Sequence, residues 1–375
     1  MRQRLSLIIG SFIVMALSNA IVPVLPEYAS GMPALQGIIF SAYFFGAFVM
    51  VIPAGVLGDR YGRTPFITAG LVLTLLAGIV ILMALNPYVI IFARIVEGIG
   101  AGLFMSCALS WVNSQKDHSR LSGLFFAGMN AGLIAGLMGT GILNTYFGQN
   151  SGVLLFTALT ALPLLLSFFI RDTAAVLISV LPPVHTVAWR NKWLYFSSFI
   201  LLGISGVLVS LYPEFTDESP FFLGIVFAAM NGGTIFASLI APRISIEPIR
   251  MIRLASVLVG IAVLLSFVAP AYGGIWGVLV LFIVVGGLIG FVFVAQMNFL
   301  ATSEKLQGTA IGLLTAASYG GMAVLPFFSG IVSEGYGYGV AFLVNGVLCF
   351  VVAVTIARCG CALPKTGRQD DLWII

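Results

Sequence analysis

Apolar runs of about twenty residues, separated by short polar breaks, succeed one another along the whole chain. A helix needs about 20 such residues to cross a hydrocarbon core about 30 Å thick. Twelve runs of this kind begin near residues 5, 34, 65, 88, 121, 151, 193, 219, 251, 274, 307 and 338. The first, Leu5 to Leu25, is apolar apart from Ser6, Ser11, Ser18 and Asn19, then breaks at Pro23 and Pro26. Asn86-Pro87 is nearly the whole turn between the third and fourth. Such tight turns leave no room for a separate domain on that side. The pattern predicts an all-α membrane protein of twelve transmembrane helices.

Composition agrees with the pattern. Charged residues are 8% of the 375-residue chain and hydrophobic residues 60%, with a mean hydropathy of +1.12, whereas soluble domains carry about 25% charge. The partner implied is the lipid bilayer. With the N-terminus inside, sixteen of the seventeen Lys and Arg fall in the inward loops and termini, and Arg94 alone lies within a run. The outward side has no Lys or Arg but carries Glu27, Glu214, Asp217, Glu218 and Glu334. This is the positive-inside distribution. It places a multi-pass chain in the cytoplasmic membrane with both termini cytoplasmic, and it explains the net charge of +4 without any nucleic-acid surface. The opening Met-Arg-Gln-Arg followed by an apolar run imitates a secretory signal, but its removal would leave eleven spans.

The second half repeats the first. Gly123 and Gly136 match Gly308 and Gly321 at an offset of 185, and Gly152-Val153 matches Gly339-Val340 at 187. At 188, Gly98 and Gly102 fall on Gly286 and Gly290. The expected units are residues 1–170, a semi-rigid cytoplasmic link over 171–192 with Pro182-Pro183, and residues 193–375 ending in a short tail.

Two clusters carry chemistry. Gly55-Val56-Leu57-Gly58-Asp59-Arg60-Tyr61-Gly62-Arg63 closes the second run. It reads as a charged hinge in which Gly58 and Gly62 permit positive φ and Thr64-Pro65 caps and opens the next helix. Asp59 is suited to the positive end of a neighbouring helix or to a local pair with Arg63. In the fourth run, Arg94 and Glu97 share a helical face at a spacing of three. Counting from Pro87 puts them roughly 10 and 15 Å deep, so Glu97 is near the midplane. A charge there costs about 2.5–3.5 kcal/mol, and such residues face the bundle interior. The pair is either a structural bridge or a proton site, with burial and the Arg94 cation pulling on the Glu97 proton in opposite senses. On the repeat, Arg94 and Glu97 align with Phe282 and Val285, so that helix folds without charge.

The pattern Gly-x-Leu-x-Asp-Arg-x-Gly-Arg, between the second and third runs, resembles the signature loop of the major facilitator superfamily of transporters. Arg94 to Gly102 is similar to that family's span-four motif, which is associated with proton coupling. The resemblance implies two pseudo-symmetric six-helix bundles (the major facilitator fold), an alternating-access path lined by spans one, four, seven and ten, and gating by Gly55, Gly58, Asp59, Arg60, Gly62 and Arg63. It is closest to the drug/proton antiporter-like members. Gly128, Gly132 and Gly136 are similar to the antiporters' glycine motif in span five, but that motif has a Pro directly after the central Gly and a Gly pair at its end, whereas here Leu133 follows Gly132 and Leu137 follows Gly136, as in plain Gly-x-x-x-Gly packing.

The expected activity is secondary active transport of a small organic molecule, coupled to protons through Arg94 and Glu97, in the direction of efflux. Asn19, Asn130 and Asn231 are further candidates for the path, and Gln296, Asn298, Tyr319 and Tyr212 are the other polar residues of the second half. The alternative is a symporter or uniporter for a sugar or organic acid, with Arg94 binding a substrate carboxylate. A non-transporting sensor or membrane-embedded enzyme is the remote alternative. Such an enzyme would need a surface cluster of His, Asp or Cys, whereas His118 and His185 lie in inward loops, Cys107 and Cys349 in spans, and Cys359 and Cys361 in the tail. No phosphate-binding loop or metal cluster is encoded, so no cofactor is expected, and the chain reads as a monomer.

Overall fold

The structure, a computed structural model, describes residues 2–29, 32–84, 86–113, 115, 118–148, 150–170, 184–216, 218–241, 244, 246–303 and 307–358. Every regular element in these residues is helical. Helix α1 (Arg2–Ala20) runs through a 3-10 turn (Val22–Val24) into a single α-turn, α2 (Leu25–Tyr28), where Pro23 and Pro26 remove backbone donors. Then come α3 (Pro33–Tyr61), α4 (Thr64–Met83), α5 (Pro87–Asn113), α6 (His118–Phe147) and α7 (Ser151–Ser167). After α8 (Val184–Arg190) follow α9 (Lys192–Phe215), α10 (Pro220–Ile240), α11 (Pro248–Ser303), α12 (Gln307–Tyr336) and α13 (Tyr338–Thr355). Ten of these are long and apolar enough to cross a bilayer, and α7 is a shorter apolar helix of 17 residues.

The twelve expected spans are all accounted for, because α11 holds two of them. Its 56 residues are interrupted at Gly274, whose φ of 55° and ψ of −159° lie outside helical space. Only glycine adopts such a backbone without strain. Continuous helix on either side therefore reverses direction at the residue where the tenth run was expected to begin. Within the expected link, Val184–Arg190 is helical; residues 171–183 lie outside the described ones.

Close helix packing repeats between the halves. A Cβ on Gly98 would collide with the Tyr43 carbonyl of α3, and one on Gly286 with the Met230 carbonyl of α10. Gly46 faces Ile95 and Ile99 as Gly233 faces Ile283 and Gly287. The same α3–α5 contact is therefore rebuilt between α10 and the second half of α11. In α6, Gly128, Gly132 and Gly136 lie on the backbone of Ile8, Phe12 and Ala16 in α1, the close approach that small residues allow.

Two seams join the halves, α3 with α12 and α6 with α10. Both are in close backbone contact at the end of the bundle that carries Glu27, Glu214, Glu218 and Glu334, called here the acidic end. There a Cβ on Gly330 would sit 2.8 Å from the Pro33 carbonyl oxygen, one on Gly141 2.7 Å from that of Pro220, and one on Gly224 2.7 Å from that of Leu137. The acidic end is closed.

Candidate functional site

Helix α5 places Arg94 and Glu97 one turn apart near its middle, and both side chains are buried, at 1% and 0% exposure. Arg94 Nη1 donates to Glu97 Oε2 at 2.6 Å. The expected pair is formed, and it is formed within one helix. It is not saturated, since Arg94 Nε and Glu97 Oε1 are buried without a hydrogen-bond partner. Buried polar atoms of this kind are uncommon; here they leave the pair able to bind something further.

The surroundings of the pair are aromatic and polar. The Arg94 guanidinium lies over the ring of Tyr43 in α3, 4.7 Å from its centroid, a favourable cation–π arrangement. The Tyr43 hydroxyl engages Ser18 of α1 and shares its electrostatic surroundings with Glu97 and with Tyr319 of α12. Ser18 also accepts a hydrogen bond from Asn19 Nδ2 at 3.0 Å. Tyr319 comes from the other half of the molecule and packs against Phe44 at 6.1 Å between ring centroids. Helices α3, α5 and α12 thus bring Tyr43, the Arg94–Glu97 pair and Tyr319 together with Ser18 from the end of α1 in one polar cluster. Tyr43 and Ser18 were missed from the sequence, where a lone Tyr or Ser in an apolar run has no spacing to mark it.

The other expected path residues are placed differently. Asn19 is partly exposed and its amide also bonds back to the Met15 carbonyl of its own helix at 3.2 Å. Asn130 and Asn231 likewise donate to Phe126 O and Phe227 O, one turn back, at 2.8 and 2.9 Å. Neither asparagine is hydrogen-bonded to the Arg94–Glu97 pair. Tyr212 is buried, donates to Ser266 O at 3.2 Å and packs on Phe282, away from the Arg94–Glu97 pair. Gln296 is also buried and donates to Ser197 Oγ at 3.0 Å, tying α11 to α9. A cavity of about 290 Å³ lined by Tyr212, Phe215, Glu218 and neighbouring apolar residues lies within the second half, and the Arg94–Glu97 cluster takes no part in it.

The signature segment is more helical than a hinge. Helix α3 continues through Gly55 and Gly58 to Tyr61, and the turn is Gly62 and Arg63 alone. Gly62 has the positive φ expected, 93°. Gly58 does not; it is a packing glycine whose Cβ would lie 2.8 Å from Cys107 Sγ of α5. A Cβ on Gly55 would meet nothing within 4 Å. The N-cap of α4 is Arg63, with Thr64 and Pro65 as its first helical residues, a one-residue shift from the expected cap that end-fraying readily accounts for. Arg60 is exposed and lies over the ring of Tyr61 at 5.3 Å. The Asp59 backbone is in α3, and its side chain is outside the described residues.

Comparison with known proteins places these features in a family. The family model described as Major Facilitator Superfamily matches residues 7–303 and again 194–369. The chain is 27% identical over 120 residues to a putative inorganic phosphate cotransporter of Drosophila ananassae, a match covering 30% of this chain and 25% of that protein. It is 34% identical over 83 residues to the quinolone resistance protein NorB of Staphylococcus aureus (strain JH9), covering 21% and 18%. The matched stretches thus span a quarter or less of these relatives' lengths. Among solved structures, the nucleoside transporter NupG superposes with a TM-score of 0.76 at 16% identity, covering 96% of this chain and 99% of that one. A D-xylose-proton symporter does so with 0.76 at 15%, covering 97% and 98%. At such identities the likeness is one of fold, two six-helix bundles side by side. By the match of the family model over most of its length, the chain, a multi-pass helical membrane protein, belongs to the major facilitator superfamily.

Proposed function

We propose that the protein is a proton-coupled exporter of a small amphipathic organic molecule, working by alternating access between residues 1–170 and 193–375, with 171–192 as the link. The observation that carries the coupling is the buried, incompletely satisfied Arg94–Glu97 pair at 2.6 Å, since ionisable residues within membrane helices mark ion and substrate pathways. Tyr43 and Tyr319 supply aromatic walls from opposite halves. Asn19, one residue from the Ser18 that meets Tyr43, stands at the edge of the same path. With the basic loops in the cytoplasm of a cell membrane, the packed acidic end is the outward one, which supports a state closed to the outside. Arg60, Arg63 and Asp59 belong to the inner gate. Export is favoured by the match to a quinolone resistance protein, whereas Leu133 and Leu137 after Gly132 and Gly136 depart from the antiporters' span-five motif.

The test is proton flux in proteoliposomes containing an interior pH dye, screened across compound classes. Wild type is expected to show compound-dependent pH changes that Glu97→Gln loses. Transport without a proton signal, or a normal Glu97→Gln, would reduce the pair to a structural bridge. The second reading, a symporter of an organic acid, draws on the unpartnered Arg94 Nε, a donor available to a substrate carboxylate. Competition by carboxylates that Arg94→Ala abolishes would select it.

A further inference from the structure

Among the described residues, a polar contact links the two halves at their closed end. Gln36, in the first turn of α3, is fully buried, and its Nε2 donates to Glu214 Oε2 near the end of α9 at 2.8 Å. The contact adjoins the α3–α12 seam, where the next residue, Gly37, lies directly on the Pro326 carbonyl and Gly330 on that of Pro33. Tyr338, the first residue of α13, is in electrostatic reach of Glu214. Helices α3 and α9, from opposite halves, therefore meet at one amide.

Packing alone does not account for that amide. Gln36 Oε1 is buried with no partner, so an aliphatic side chain would fill the seam without an unsatisfied atom. The nitrogen, by contrast, is aimed at a carboxylate of the opposite half. Opening the acidic end separates α3 from α9, breaks this bond and returns both groups, including the orphan oxygen, to water.

We infer that Gln36 and Glu214 form a latch that sets the balance between closed and open states of the acidic end. The inference rests on the alternating-access reading. The latch is strong enough to bias closure and, because one amide oxygen goes unsatisfied in the closed state, weak enough to release.

The latch is tested by pulsed dipolar spectroscopy on spin labels at Tyr146→Cys and Tyr336→Cys. These two exposed positions end α6 and α12, one in each half. Gln36→Glu sets two carboxylates face to face and is expected to raise the open population roughly tenfold. Gln36→Lys, of similar bulk, makes an ion pair and is expected to lower it. Glu214→Gln keeps an amide-to-oxygen bond and should stay close to wild type. Gln36→Glu combined with Glu214→Lys should restore closure, which keeps the test decisive if the single variant folds poorly. Shifts of opposite sign for Glu and Lys support the latch. Shifts of the same sign, or none, overturn it, because a merely steric role at Gln36 cannot distinguish the charges. Distances are read without substrate, so an unaltered distance in a transporting protein condemns the latch alone, and a shifted distance without transport condemns the transport reading alone.

Discussion

Arg94 and Glu97 illustrate how far single residues can be interpreted from their own helix. Their spacing of three announced the contact, and the structure forms it at 2.6 Å with both side chains buried. Removing one partner of a buried pair leaves an uncompensated charge, a loss of about 3–5 kcal/mol, whereas replacing both with apolar residues is close to neutral. Arg94→Leu is therefore expected to melt well below wild type in detergent, and Arg94→Leu with Glu97→Leu to recover most of the difference while abolishing any proton signal. A double variant as unstable as the single one would show that the charges hold α5 to partners beyond each other. Tyr43 and Gln36 were not legible at this scale. Each is one polar residue in an apolar run, and its significance comes from a side chain on another helix, over Arg94 in one case and against Glu214 in the other.

At the level of helices, length and the placement of glycine carried most of the information. The start of the tenth run at Gly274 was readable because a span cannot continue without end, and the positive φ of 55° there is what turns the chain. The glycines of α6 were readable as a packing face, but their partner was not, since nothing in Gly128, Gly132 and Gly136 names α1. Their geometry now gives a graded expectation. Gly132→Val drives a branched side chain into the Phe12 carbonyl, a backbone atom that cannot swing aside, and should destabilise by about 1–3 kcal/mol or more. Gly232→Ala in α10, with nothing within 4 Å of the added Cβ, should change stability by no more than about 1 kcal/mol. Thermal melting of the two purified variants compares them directly. Gly58 shows the limit of the approach, since a glycine in a helix interior and one in a turn look alike in sequence, and the 2.8 Å approach to Cys107 Sγ decides between them.

For the whole molecule, the repeat offset predicted two halves, and the matched Gly98 and Gly286 contacts rebuild one helix pair in the other half. The seams between the halves had no such signature, because carbonyl-over-glycine contacts depend on how two bundles meet. Orientation in the bilayer gives the prediction at this scale. A membrane-impermeant thiol reagent should label Tyr272→Cys, 90% exposed beside the Gly274 reversal, on intact cells. Arg190→Cys, at the end of α8, should label only after permeabilisation. The reverse pattern would invert the topology and, with it, the identity of the closed end.

The placement of both charges within a single turn of α5 has a consequence for biogenesis. A polytopic chain enters the membrane span by span, before the helices that will surround α5 have gathered. An arginine whose counter-ion lay on a later helix would have to wait in lipid as a bare cation. Here Glu97 arrives three residues behind Arg94, so the span can leave the insertion machinery as an internally neutralised unit and seek its neighbours afterwards.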